Sequence, residues 1–496
     1  MKVNHRPATH LDLYQLTSLI PHWDAGRALT PAWMSFFSRR LSRGHDGQPA
    51  RDYIVWCGLH RCLELLEGLR FDEDRLDTLM NHTTLGPALK ERPSLVERLR
   101  AWRFSGEVWA LEEGEILWAN TAIDSHGEKL NWDGIQPSAM PPYLQIFTDV
   151  LSAKLIETPL LSIINHMSMV ATKASHLAAA AGDRPILELG SRRTHIDAAV
   201  DAALASYIGG VFGTSNVEAH HRYAVPVVGT MDHFAVQSWE EPNRPVAETE
   251  RAFFLAFAKT YPQSASLLVD TYDMFGEETG IRNAVSAASE LQIPLQAIRI
   301  DSQLTTETIH RARRLLDDLG CPSTKIIVSG GVDEPLIREF SEAPVDLYGV
   351  GERLVSSADS PVGVGAVGKL SWIGGITSMK RAKGSGKATL PGPIQAYRSE
   401  GRDRLSLIPS IKDGQDWRFL WDQPTQTEDE RPLISCVWSD RSVHREGRRK
   451  GWLHDARERR SSSVEWADKR AMKRRVILDQ SLIEEINLSC HESSRV

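Results

Sequence analysis

The sequence predicts an α/β protein with a parallel, barrel-like core, and three observations carry that prediction. From about residue 157 short apolar strands alternate with amphipathic stretches. Each strand is followed by a polar or glycine-rich turn, and seven such turns recur in order. In a core of this kind the residues just after each strand fall on one rim, where active sites are assembled.

Taken in order, the first hundred residues carry helical apolar spacing, as in Ile54, Leu59, Cys62, Leu63, Leu65 and Leu66, and predict a helical layer. From Phe104 the pattern changes. Glu107-Val108-Trp109-Ala110-Leu111 and Glu115-Ile116-Leu117-Trp118 flank the turn Glu113-Gly114, which predicts a small sheet. Core strands are then expected at 185–189, 208–211, 225–228, 266–269, 295–300, 325–328 and 345–348, with amphipathic helices at 195–207 and 305–319 among them. The turns that follow the strands are Gly190-Ser191-Arg192-Arg193, Gly213-Thr214-Ser215-Asn216, Gly229-Thr230-Met231-Asp232-His233, Asp270-Thr271-Tyr272-Asp273, Asp301-Ser302, Ser329-Gly330-Gly331 and Gly349-Val350-Gly351.

Composition narrows the class. With 496 residues, 41% hydrophobic and 25% charged, the chain can bury at least one full core. No run approaches the roughly 20 apolar residues of a membrane span, and the start lacks a secretory stretch. A cytoplasmic protein without a membrane partner is expected. Its five cysteines are scattered, which predicts reduced thiols and no zinc. The stretch 441–475 is rich in arginine, with Trp452 and Trp466 interleaved. Against a net charge of −7 it reads as a solvated helix face rather than a nucleic-acid patch. Val476-Ile477-Leu478 with Leu482, Ile483 and Ile486 has helical spacing.

The rim residues suit anion chemistry. Arg192, Arg193 and Arg299 can present guanidinium forks to phosphate or carboxylate; their bland alternative is a structural ion pair. Asp270, Asp273 and Asp301 could hold magnesium, bind ribose hydroxyls or stabilise a cationic sugar, or else cap the helices that follow. The glycine loops at Ser329, Gly330 and Gly331 and at Gly349 and Gly351 can bring backbone N–H groups close to a phosphate. An imidazole such as His233 can accept a phosphoryl group, although a lone histidine is more often a buried, hydrogen-bonded one.

In order and spacing, the rim motifs resemble those of the nicotinate phosphoribosyltransferase family. The match runs from Asp12 to Arg398. Its most specific pieces are Gly213-Thr214-Ser215-Asn216-Val217, Leu268-Val269-Asp270-Thr271-Tyr272-Asp273, Ile298-Arg299-Ile300-Asp301-Ser302, and Lys383-Gly384-Ser385-Gly386-Lys387 followed by Pro391-Gly392. The resemblance implies the type II phosphoribosyltransferase fold, an irregular parallel α/β barrel plus a second α+β domain built from both chain ends. The expected boundaries are 1–150, completed by 380–400, for that second domain and 151–379 for the catalytic barrel. A partly helical extension over 401–496 follows. The implied reaction is formation of nicotinate mononucleotide and pyrophosphate from nicotinate and phosphoribosyl pyrophosphate, with ATP hydrolysis and magnesium, in NAD salvage.

On the same grounds His233 is the residue phosphorylated by ATP, with Asp270, Asp301 and Arg299 as its catalytic company and Asp270 and Asp273 as magnesium ligands. Tyr14 would stack on the base from the partner subunit of a homodimer with shared sites, beside Arg192, Thr214 and Ser215. Neutral Ser215 favours the acid over the amide. The loops containing Ser329, Gly330, Gly331, Gly349 and Gly351 would hold phosphate. Family members usually continue Asp301-Ser302 with Gly-Asp-Leu and follow the last glycine loop with threonine. Here those places hold Gln303-Leu304-Thr305 and Glu352, and Leu11 replaces the threonine that normally precedes Asp12. A phosphoribosyltransferase for another heterocyclic base, and a non-catalytic ligand-binding paralogue, are the alternative readings.

Overall fold

The computed structural model describes residues 6–38, 51, 53–118, 122–123, 140–356, 364–381, 387–399, 402–408, 429–439, 442–443, 452–468 and 475–491. The motif 383–386 therefore lies outside the described residues. The chain forms two compact units, one of residues 170–360 and one of residues 1–169 with 361–496.

The unit 170–360 is built on six parallel strands among its described residues: β1 (Ile186–Glu188), β2 (Gly213–Thr214), β3 (Ser266–Leu268), β4 (Ala297–Ile300), β5 (Lys325–Ser329) and β6 (Leu347–Val350). Their order across the sheet is β2-β1-β6-β5-β4-β3. Alternate residues of a strand share one face, and Ile298, Ile300, Ile326, Val328, Tyr348 and Val350 are all buried. The helix Thr306–Asp318 lays Ile309, Ala312 and Leu316 on the core from one stripe, at the spacing its sequence predicts. Thr305 caps it, accepting from Thr308 N at 3.1 Å.

Two expected strands are corrected. Residues 208–211 are not a strand: the helix Ile196–Ile208 runs to its end there, and the strand is β2, two residues later. Gly209, at the end of that helix, is a glycine because a Cβ would come within 2.4 Å of the Ala171 carbonyl. Residues 225–228 form no ladder, only a bridge between Val227 and Thr214. That segment runs on between the two edge strands: Val228 N donates to Thr214 O at 2.9 Å, and Leu268 N lies 3.4 Å from Met231 Sδ.

In the other unit, the described residues include an antiparallel sheet of seven strands in the order Ile376–Thr377, Ala366–Ile373, Pro31–Ser38, Leu144–Asp149, Glu107–Leu111, Ile434–Ser439 and Ser442–Val443. The expected helical layer at the start is thus interrupted: Pro31–Ser38 and Tyr53–Val55 are strands, and Ile54 belongs to the second. The C-terminal segment also supplies strands. Arg402–Leu407 pairs with Ile394–Ser399, and Arg475–Leu478 pairs with Arg402–Leu407. The helical spacing read at 476–478 is therefore overruled, and the helix begins only at Gln480. In the arginine-rich stretch, Arg459 donates to Glu113 O at 3.0 Å and pairs with Glu112 at 2.9 Å, so its charge is engaged within the unit. Among the described residues no helix is long and apolar enough to cross a membrane.

Candidate functional site

The rim at the carboxyl ends of the parallel strands lies wholly within the unit 170–360 and is tied together through two aspartates. Asp270, two residues after β3, accepts on Oδ2 from Asp301 N at 2.9 Å and from Ser302 Oγ at 2.6 Å. Asp301, the residue after β4, accepts on Oδ1 from Ser329 Oγ of β5. Three neighbouring strand ends are thereby locked. Neither aspartate caps the helix after it: Thr305 does so for Thr306–Asp318, and the buried Glu250 carboxylate accepts from Gly280 N at 2.7 Å at the start of Gly280–Glu290. Asp273 is exposed, and its Oδ1 accepts from Phe275 N at 3.0 Å within the same turn.

Asp270 Oδ1 is buried without a hydrogen-bond partner. A buried carboxylate oxygen is rarely left unsatisfied, so this atom asks for a cation or a hydroxyl from outside. Among the described residues no group of three or more His, Cys, Asp or Glu side chains could hold a metal. The donors fit magnesium, which commonly uses one or two carboxylates and takes its other oxygens from substrate phosphates and water.

His233 opens the short helix His233–Gln237, which Asp232 caps by accepting from Ala235 N at 2.9 Å. Its Nδ1 lies 3.1 Å from Thr271 Oγ1, and its Nε2 faces Asp301 Oδ2 at 3.9 Å. Nδ1 is thus engaged by Thr271 and Nε2 faces Asp301, with the side chain 39% exposed. Arg299, inside β4, reaches the same loop, donating from Nη1 to Thr230 Oγ1 at 3.0 Å and to Met231 O at 2.8 Å. Burial pushes its guanidinium pKa down, Asp301 and Asp270 oppose that, and the charge of Arg192 adds to the depression. The guanidinium groups of Arg192 and Arg299 thus share one field, and Arg299 Nε is buried without a partner. An anion placed here would relieve both.

Thr214 is fully buried; its hydroxyl donates to Glu188 Oε2 at 2.5 Å and accepts from Asn216 N at 2.9 Å. Its hydroxyl proton is committed to the protein, whereas Ser215 stays partly exposed. Arg193 is exposed and lies 3.9 Å by Nε from Glu352 Oε2. Glu352 is thus faced by Arg193 of the β1 loop. The glycine loops differ in what they demand. At Gly330, with φ +93°, a Cβ would stand 2.1 Å from Asp301 O; at Gly349 it would meet Leu189 Cδ1 at 2.6 Å; at Gly351, Leu189 O at 3.2 Å. At Gly331, with φ +71°, nothing lies within 4 Å. Packing explains the first three, and the fourth keeps open space.

Tyr14 belongs to the other unit and is 55% exposed on the helix Leu13–Asp24. That helix is seated by Gln15 Nε2 donating to Glu157 Oε2 at 2.7 Å and by Thr158 Oγ1 donating to Asp12 Oδ2 at 2.9 Å. Sequence reasoning passed over Glu188, Thr230 and Thr271. Only Glu188 left a signal, as a lone charge in the apolar strand Ile186–Glu188; the two threonines matter through distances that no local pattern encodes.

The fold and rim define a parallel α/β protein whose strand ends gather acids, arginines and one histidine around a place for an anion. No family model matches the chain. It is 37% identical over 380 residues to the nicotinate phosphoribosyltransferase pncB1 of Mycobacterium tuberculosis, covering 76% of each chain. It is 32% identical over 398 residues to the nicotinate phosphoribosyltransferase of Bacillus subtilis, covering 78% of this chain and 72% of that one. The crystal structure of human nicotinic acid phosphoribosyltransferase matches the fold with a TM-score of 0.75, over 96% of this chain and 99% of that one at 24% identity. The chain belongs to the nicotinate phosphoribosyltransferase family.

Proposed function

We propose that this protein transfers the phosphoribosyl group of phosphoribosyl pyrophosphate to nicotinate, giving nicotinate mononucleotide and pyrophosphate in NAD salvage, with ATP phosphorylating His233. The observation that carries the reading is the His233 imidazole, held at Nδ1 by Thr271 with Nε2 turned toward Asp301 and open to solvent. An imidazole tethered at one nitrogen presents the other as a nucleophile toward a phosphoryl group. Arg192 and Arg299 supply the positive field that a pyridine carboxylate or a phosphate requires, and neutral Ser215 offers an amide no carboxylate.

Magnesium, when bound, would neutralise the departing pyrophosphate. Asp270, through Oδ1, and Asp273 would hold it; Asp301 is left facing His233. The loops of Ser329, Gly330 and Gly331 and of Gly349 and Gly351 would receive the 5′-phosphate. Closure of the parallel sheet into a barrel by the segment 225–231, lying between β2 and β3, belongs to the same proposal. So does a homodimer in which Tyr14 reaches a partner's site; the exposed Leu13 and Tyr14 on one unit and Ile196, Val217 and Phe234 on the other support it. A cytoplasmic setting suits the five scattered cysteines of the sequence.

The test is incubation with phosphoribosyl pyrophosphate, magnesium and labelled ATP, offering nicotinate, nicotinamide and quinolinate separately. Mononucleotide should form with nicotinate alone, and acid-labile phosphate should appear on the protein but not on His233→Ala. Product with another base, or no label on His233, sinks the reading.

A further inference from the structure

We infer that Glu188 is a positioning residue for the base side of the rim, fixing Arg192 and Ser215 relative to one another without touching substrate. The inference rests on the proposed roles of Arg192 and Ser215 at the base. Glu188 is the last residue of β1 and only 1% exposed. Its carboxylate stands between two loops. Oε1 accepts from Gly190 N, two residues before Arg192, and Oε2 accepts from the Thr214 hydroxyl, one residue before Ser215. The Glu188 carbonyl accepts from Ser215 N at 2.9 Å, and Asn216 Nδ2 donates to Ser191 Oγ at 3.0 Å as a second link between the loops.

The direction of each proton makes the acid specific. Gly190 N can only donate, and the Thr214 hydroxyl, which accepts from Asn216 N, donates its one proton to Glu188 Oε2. A carboxylate offers each an oxygen, whereas the single oxygen of an amide would leave the Thr214 bond lost or reversed. Gly190 leaves no slack, because a Cβ there would stand 2.7 Å from Val355 and 2.9 Å from Glu188 Oε1. Burial raises the Glu188 pKa, and the hydrogen bonds from Thr214 and Gly190 offset that only in part. A buried acid in a strand whose other residues, Ile186 and Leu187, are apolar is a burden to the fold alone. Its bonds all go to the two loops.

Glu188→Gln and Thr214→Val separate positioning from folding when the two substrates are varied independently and thermal stability is recorded beside the kinetics. Both should raise the KM for nicotinate by about tenfold or more while that for phosphoribosyl pyrophosphate moves little. Thr214→Ser should restore the wild-type value, and the double variant should be no worse than the worse single one, because both cut the same link. Calorimetric binding of nicotinate, which needs no turnover, should weaken by the same factor. Equal rises in both KM values, loss of stability with nicotinate binding intact, or additive defects would overturn the inference. A wild type that binds nicotinate without forming mononucleotide would instead defeat the proposed reaction, and the binding comparison would still decide on Glu188.

Discussion

At the scale of single residues the sharpest departure from the family pattern is Glu352, first in the helix Glu352–Val355, whose charge is faced by the exposed Arg193 at 3.9 Å. An exposed pair at that distance adds little to stability. A carboxylate in the loop proposed to receive a phosphate would repel it, and two charges about 4 Å apart near a surface interact by a few kcal/mol before screening. Glu352→Thr should therefore lower the KM for phosphoribosyl pyrophosphate by about tenfold, with Tm unchanged. Steady-state kinetics at fixed nicotinate measure it, and an unchanged or higher KM would show that Glu352 points away from substrate. Gln303, the other departure, sits at φ +52°, the left-handed region where glycine is at home.

Among the elements, the turn after β5 is held by geometry rather than by side chains. Gly330 lies against the carbonyl of Asp301, so Gly330→Ala would force β4 and β5 apart at their ends and pull the Ser329 hydroxyl from Asp301. A displacement of about 1 Å at a reacting group costs on the order of a hundredfold in kcat/KM. Gly331→Ala, with open space around its Cβ, should leave the Ser329–Asp301 bond in place, and in stability its penalty is the φ of +71°, about 1 kcal/mol. Comparing the two variants in activity and melting checks this ordering. Most core strands were legible as apolar runs before polar turns. Residues 208–211 misled because Ile208-Gly209-Gly210-Val211 reads as a strand locally, while in the fold it is a helix end, with Gly209 close against Ala171. Likewise Arg475–Leu478 is a strand because a neighbour, Arg402–Leu407, offers it a ladder.

For the molecule as a whole, pH sensitivity should centre on Glu250. This carboxylate is buried in the helix Val246–Thr260, accepts from Gly280 N and from Asn283 Nδ2 on Oε2, and leaves Oε1 without a partner. Burial pushes its pKa up from 4.5 to about 7. A folded-state pKa above the unfolded one gives stability that is fully present below about 4.5 and lost as pH rises through about 7. Melting temperature should thus fall between roughly pH 5 and 8 by an amount equivalent to on the order of 2 kcal/mol. Glu250→Gln, which keeps an oxygen for Gly280 and Asn283, should flatten that slope, and an unaltered profile in the variant would assign it to other groups.

By itself the sequence determined the parallel α/β core and the order of its rim motifs, because strand burial and the turns after strands are written in local alternation. It also determined which residue types reach the rim, His233, Arg299, Asp270 and Asp301 among them. Only the tertiary structure decided how those residues meet: Asp270 bonding to Asp301 rather than capping a helix, Thr271 holding His233, and Glu188 joining two loops from below. Such contacts link residues 26 to 38 positions apart, where no period of helix or strand carries information. They exist only once the strands that carry them lie side by side.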